Sequence, residues 1–422
     1  MAFIRLMEYE WSDNPHEVEY YIPDSWDVTI YHIAGYQKPV LTPEQITSSV
    51  VHPIGTSRLR DLARYKKKVC ILFDDMVRGT PVYKVVPAVL AELKAADIKD
   101  NQIEFICAIG AHQVWDRSLL AKKLGADIMA KYPVYNHDPF LNCTYLGKTS
   151  FGTRVEISAE VMSCDLKISI QSIVPHSSYG FSGGGKIVMP GCSSYSSIVE
   201  HHMTTHRAFG EILERTPDAK GVFQGNPKPQ DAMEFARMAN VDFSINCMVN
   251  EKADIVAIFA GDIEQAYSPA VTVAKEHYKV IDTRDNDIVI TNAYFKAGEA
   301  FIASASSFIA VKRTGGSSVT IANSPFGQIV HYLGASWGMN TDDNIWTYKM
   351  SIPTWIKHHI FYSEFPEGRN RAIWAEKDLH KILQSNNWDG VVKKLIKWHG
   401  SKAKVAVFPD GTTQYTLQPE YR

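Results

Sequence analysis

Apolar residues along the chain follow two alternating rhythms. Short unbroken runs, Val69-Cys70-Ile71-Leu72-Phe73, Ile103 to Cys107 and Leu166-Lys167-Ile168-Ser169-Ile170, have the length and β-branched content of buried strands. Between and after them, Pro81 to Ala96, Asp116 to Leu124 and Ser193 to about Ala208 space their apolar residues as helices do. Thr42-Pro43-Glu44-Gln45 predicts a helix start, because Thr42 can cap, Pro43 suits the first turn and Gln45 closes a capping box. A second series opens with the strand at Asp287 to Asn292, continues through a helical stretch to Ala310 and returns to a strand at Ser318 to Asn323. The first forty residues, with Tyr20-Tyr21-Ile22 and Val28-Thr29-Ile30-Tyr31, predict a short antiparallel preamble. Strands alternating with helices imply parallel βαβ units covered on both faces. The expected fold is therefore α/β: two α/β domains with mostly parallel sheets flanked by helices, over residues 1–275 and 276–422, with the active site in the cleft between them.

Composition narrows the partners. The 422 residues are 45% hydrophobic, enough for two cores. Lys and Arg number 44 against 46 Asp and Glu, so no net field draws the chain to nucleic acid or to an anionic membrane. No apolar run has the length of a signal peptide or a spanning helix, and a cytoplasmic protein acting on a small molecule is expected. The six cysteines form no C-x-x-C pair and read as buried thiols; Cys192, beside a glycine-rich segment, reads as an apolar filler rather than a nucleophile. Asn142-Cys143-Thr144 matches a glycosylation sequon, which has no meaning without secretion.

Polar clusters follow the predicted strands, where open α/β sheets bind ligands. They are Asp74-Asp75-Met76-Val77-Arg78-Gly79-Thr80-Pro81, Gly110-Ala111-His112 and Pro175-His176-Ser177-Ser178. Each alone has a bland explanation, since Asp75 and Thr80 can cap a helix and a lone histidine is usually structural. Their common location is what singles them out.

The most distinctive segment is Gly180-Phe181-Ser182-Gly183-Gly184-Gly185-Lys186-Ile187-Val188-Met189-Pro190-Gly191. Three consecutive glycines are expected to let backbone amides approach an anionic or planar group, with Lys186 beside it. Gly180 and Gly185-Lys186 nearly match a P-loop, which keeps a nucleotide-binding phosphotransferase as an alternative. Ile187 stands where that motif needs a hydroxyl, however, and Pro190 interrupts the helix it must open. Further on, His202 and His206 share a helix face at i, i+4 spacing and would suit zinc, but the glutamate of H-E-x-x-H is missing. One imidazole completing the coordination of a cofactor-borne nickel fits better.

In order and spacing, these motifs resemble the nickel-dependent lactate racemase family over about residues 65 to 300: Asp-x-x-Arg-x-Thr-Pro from Asp75, Gly-x-His ending at His112, His176, Ser-Gly-Gly-x-Lys with Pro-Gly, and the distal His202. The resemblance implies a racemase or epimerase of a 2-hydroxy acid. Its cofactor would be the nickel-pincer nucleotide, a pyridinium-3,5-bisthiocarboxylic acid mononucleotide, linked to Lys186 as a thioamide. It further implies His202 as nickel ligand and His112 and His176 as the acid/base pair. Asp75, Arg78, Thr80, Gly183, Gly184 and Gly185 would hold the cofactor. A departure lies in the second series. The family's substrate-binding Gln and Lys fall at Ile302 and Ala305, neither able to bind a carboxylate. Tyr294 and Lys296 are the replacement contacts expected, although Lys296 and Glu299 also suit a solvated helix face. A larger or more hydroxylated acid than lactate is then the expected substrate.

Overall fold

The structure, a computed structural model, describes residues 2–9, 11–215, 220–281, 283–334, 349–365 and 367–416, and within these not the side chains of 206–215 and 370. The chain forms two compact units, one of residues 37–277 and one of residues 1–36 with 278–422. Both are α/β, with parallel-dominated sheets flanked by helices.

In the unit 37–277 six strands lie in the order Ile255–Gly261, Phe243–Val249, Leu166–Ser172, Val69–Asp74, Ile103–Ala108, Val134–Asn136. All neighbouring pairs are parallel except the first, which closes one edge antiparallel. The three strands Val69–Asp74, Leu166–Ser172 and Phe243–Val249 are buried at every position, as central strands covered on both faces must be. From Val69–Asp74 the chain builds outward on one side through Ile103–Ala108 and Val134–Asn136. It then returns to the other side at Leu166–Ser172. The strand order thus reverses between Val69–Asp74 and Leu166–Ser172, and a crevice at their carboxyl ends is where such sheets bind ligands. The helix Pro43–Val51 carries the capping box foreseen at Thr42 and Gln45.

The other unit holds an all-parallel sheet in the order Ile382–Ser385, Ile356–Tyr362, Gly316–Ile321, Ile288–Asn292, Lys404–Phe408, Asp27–Ile30. The first residues differ from expectation. Ala2–Met7 and Glu17–Ile22 do form an antiparallel hairpin, but Asp27–Ile30 leaves it to pair parallel with Lys404–Phe408. Residues 1–36, expected within the N-terminal domain, therefore belong with the C-terminal part of the chain. The reason is packing: Ile4, Leu6, Tyr20, Ile22 and Trp26 are buried in the same cluster as Ile288, Ile290, Val319 and Val405. An amphipathic hairpin finds its core wherever apolar surface is open, and nothing local in its sequence names that partner.

Candidate active site

The end of the strand Val69–Asp74 delivers two buried carboxylates into the crevice. Asp74 accepts hydrogen bonds on Oδ2 from the Thr80 hydroxyl (2.6 Å) and from the amide of Ser172 at the end of the neighbouring strand (2.8 Å). Its other oxygen lies 2.9 Å from Nζ of Lys123, a fully buried lysine that also donates to the carbonyls of Asp75 and Arg78 at 2.7 Å each. Asp74, Thr80 and Lys123 thus brace the turn from within. Thr80, expected among the cofactor contacts, spends its hydroxyl on this brace.

Asp75 points elsewhere, to His112 Nδ1 at 2.6 Å. Burial alone would raise its carboxyl pKa, but the adjacent His112 ring, with Arg78 and Lys123, outweighs burial and lowers it. An ionised Asp75 requires His112 to carry its proton on Nδ1, which leaves the lone pair of the neutral ring on Nε2. His176, just beyond the strand Leu166–Ser172, has the opposite arrangement. Its Nδ1 accepts from the amides of Ser178 (3.2 Å) and Tyr179 (3.3 Å), so the neutral ring carries its proton on Nε2. One histidine is prepared to take a proton at Nε2, the other to donate a hydrogen bond from Nε2.

Lys186 leaves the glycine loop on a short 3-10 turn, Gly184–Ile187, and not on the long helix that a P-loop opens. The glycines are required sterically by their packing. A Cβ on Gly185 would meet the Ala232 carbonyl at 2.3 Å, one on Gly184 the Tyr267 ring at 2.8 Å, and one on Gly183 the Asn246 side chain at 2.9 Å. The space their bare Cα atoms leave is filled by protein, so they seat the loop against the helix Pro227–Met238 and Tyr267. The lysine Nζ then lies 3.6 Å from the centroid of the buried Tyr179 ring.

Around Tyr179 gather two histidines of the helix Tyr195–Arg215. His201 is fully buried with both nitrogens engaged, Nε2 with the Tyr179 hydroxyl (2.6 Å) and Nδ1 with Asp231 (2.7 Å), which also accepts from Thr153. Burial brings its pKa down to about 4 despite Asp231, so the ring is neutral. His202 donates from Nδ1 to the Ile198 carbonyl one turn back (2.7 Å), which places its lone pair on Nε2. Burial first, and the charge of Lys228 next, hold it well below the usual histidine range. A neutral imidazole with its tautomer fixed by a backbone carbonyl is what a metal requires of a histidine. His206 lies outside the residues whose side chains are described. Among the described residues no three His, Cys, Asp or Glu side chains converge as a metal cage.

Asp75, Arg78, Thr80, His112, His176, Gly183 to Lys186 and His202 thus fall in one unit, while Tyr294 and Lys296 belong to the other. Lys296 sits at a kink (φ −128°, ψ 39°) in the turn Tyr294–Glu299 and is 3% exposed; Glu299 is 6% exposed. This overturns the solvated-face reading of both. Ile302 and Ala305 are half-buried on the helix Phe301–Ala310. Sequence reasoning missed Lys123, Lys228, Tyr179 and Asp231. Lys123 ends a helix of low amphipathic contrast and looks solvated, and Lys228 and Asp231 lie in a polar run, Asn226 to Asp231, that gives no sign of burial.

The comparisons with known proteins point one way. The family model of the lactate racemase N-terminal domain matches residues 14–210. A lactate racemase of Lactiplantibacillus plantarum is 26% identical over 401 residues, spanning 90% of this chain and 92% of that protein. One of Thermoanaerobacterium thermosaccharolyticum is 29% identical over 262 residues, 61% of this chain and 60% of the relative. Among solved structures, the lactate racemase apoprotein from T. thermosaccharolyticum superposes with a TM-score of 0.72 at 21% identity, covering 98% of this chain and 100% of that one. A Thermotoga maritima protein follows with a TM-score of 0.64 at 17% identity, over 90% and 100% of the two chains. By domain match and near full-length similarity, the chain is similar to the lactate racemases, and residues 14–210 match their N-terminal domain.

Proposed function

We propose that the protein is an isomerase that racemises or epimerises a 2-hydroxy acid, with a nickel-pincer nucleotide held at Lys186 and His202. The observation that carries this reading is the preparation of His202: a half-buried, neutral ring whose Nδ1–H is committed to the Ile198 carbonyl, in the same cluster as a lysine laid against Tyr179. A metal held by this single imidazole takes its remaining donors from the cofactor, which is the donor set a pincer supplies. The residues present therefore fit the group. When bound, it supplies a reversible acceptor for the hydrogen on C2, so that loss and return of that hydrogen through a planar 2-oxo acid inverts the centre.

The chain's own residues handle the proton. His112 Nε2 takes the hydroxyl proton, and the Asp75 carboxylate 2.6 Å behind it stabilises the imidazolium that results. His176 presents Nε2–H to the substrate oxygen or carboxylate from the adjacent strand end, and the Ser178 and Tyr179 amides on Nδ1 hold it in that donor tautomer. Lys123 and Asp74 keep the Asp75 turn from relaxing.

Protein produced together with the cofactor-synthesising machinery should carry an added mass on the Lys186 peptide, absent from Lys186→Ala. It should invert a 2-hydroxy acid without incorporating solvent deuterium at C2. An adduct on another lysine, or deuterium uptake matching inversion, would refute the reading.

A further inference from the structure

Lys228 is the second residue of the helix Pro227–Met238 and is 5% exposed. Its backbone amide is satisfied by the Asn226 cap. Its ammonium is not: among the described residues it has no carboxylate or other acceptor within hydrogen-bonding distance, and its one aromatic contact is the Tyr179 ring at 5.8 Å. Asp231, one turn along the same helix, has its Oδ2 engaged by His201 and Thr153, and its Oδ1 is buried with no hydrogen-bond partner. Even that orphaned oxygen is not what Lys228 reaches. The titratable rings that feel its charge, His201 and His202, are neutral. The position is unfavourable a second time, because a cation in the first turn opposes the helix dipole. Burying an unpaired ammonium against a dipole is unfavourable, and a structural role would be served better by an apolar side chain of the same length. Burial indeed brings its pKa down to about 8, which still leaves the amine mostly protonated at neutral pH. What repairs every one of these defects is a negative charge brought in from outside.

We infer that Lys228 binds an oxyanion, a phosphoryl or carboxylate group, of the ligand that docks at Lys186 and His202. This rests on the proposed docking centre, yet it needs no nickel and no turnover to test. Titrate the apoprotein with inorganic phosphate at constant ionic strength, following calorimetric binding and thermal unfolding. Phosphate should bind with a millimolar dissociation constant and raise Tm. Lys228→Met should start with a higher Tm than wild type and bind phosphate at least tenfold more weakly. Lys228→Arg, which keeps the charge, should retain the response. Acetate in parallel distinguishes the source: protection by both anions assigns a carboxylate-tolerant site, and by phosphate alone a phosphoryl site. No response in wild type, or an equal one in Lys228→Met, overturns the assignment. So does failure of Lys228→Met to fold, since an ammonium without a protein partner has no structural task. Because the readout is apoprotein binding, absence of racemisation in loaded enzyme is a separate result.

Discussion

Asp75 has two faces to satisfy, a backbone turn and an imidazole, and the second gives it a role that its buried position alone would not. Its carboxylate fixes the proton on His112 Nδ1, so the lone pair proposed to act as base is set before any substrate arrives. Asp75→Asn keeps the shape but can offer its amide N–H to Nδ1, which moves the ring proton to Nε2. Activity should fall by about 100-fold or more, the usual range for a positioned base. Nitrogen NMR of the His112 ring should show the tautomer change directly, and an unchanged tautomer would separate Asp75 from proton handling. The neighbours His201 and His202 allow a second test at this scale. His201 has both nitrogens in a buried network, whereas His202 commits Nδ1 to a backbone carbonyl. His202→Ala should bring the nickel-to-protein ratio of loaded enzyme close to zero, while His201→Ala should disturb stability more than metal content. Equal nickel loss in both would mean that the metal is held differently.

Elements position these residues through contacts that the sequence shows unevenly. The central strands and the helix starts were legible because periodicity and capping are local: the box at Thr42 appears as read, and the buried run read at Val69 to Phe73 is the strand Val69–Asp74. Lys123, Lys228 and Lys296 were not, because whether a lysine is solvated depends on what folds over it. The same holds for the glycine loop, where Ala232, Tyr267 and Asn246 stand in the Cβ directions of the three residues. Glu92 gives a measurable case of such a distant contact. It lies in the helix Val82–Ala95 and binds Arg58 and Arg60, 34 and 32 residues earlier. Burial opposes its ionisation, but the two guanidinium groups win and bring its pKa to about 2. A carboxyl depressed from 4.5 stabilises the fold above that value, and the contribution is lost as pH falls from about 4.5 towards 2. Wild-type Tm should therefore drop through this window, and Glu92→Gln should begin several degrees lower at pH 7 and lose less on acidification. Parallel Tm curves for the two proteins would show that the pair contributes nothing.

For the whole molecule, the informative feature is where its chemistry follows the family and where it departs. The residues proposed for proton handling and cofactor attachment all lie in the unit of residues 37–277, and each has a partner that explains its state. The departures are in the other unit. Ile302 and Ala305 occupy the positions at which the family resemblance calls for a glutamine and a lysine, and an isoleucine with an alanine can accept carbon but not bind a carboxylate. A binding site that loses both anion ligands for a small acid loses charge-assisted hydrogen bonds of about 1.5–3 kcal/mol each, roughly ten- to hundredfold apiece in binding. The apolar replacements favour a longer chain. Loaded enzyme should thus be nearly inactive on lactate and improve as 2-hydroxy acids lengthen or gain hydroxyls. Lys296→Ala, removing the buried lysine nearest in sequence to these positions, should raise KM for the best substrate with little change in kcat, as when ground and transition states lose the same contact. Chiral analysis of a graded substrate series decides the matter. Efficient inversion of lactate would show that the carboxylate is bound by residues unaffected by these substitutions, and an unchanged KM would exclude Lys296 from its recognition.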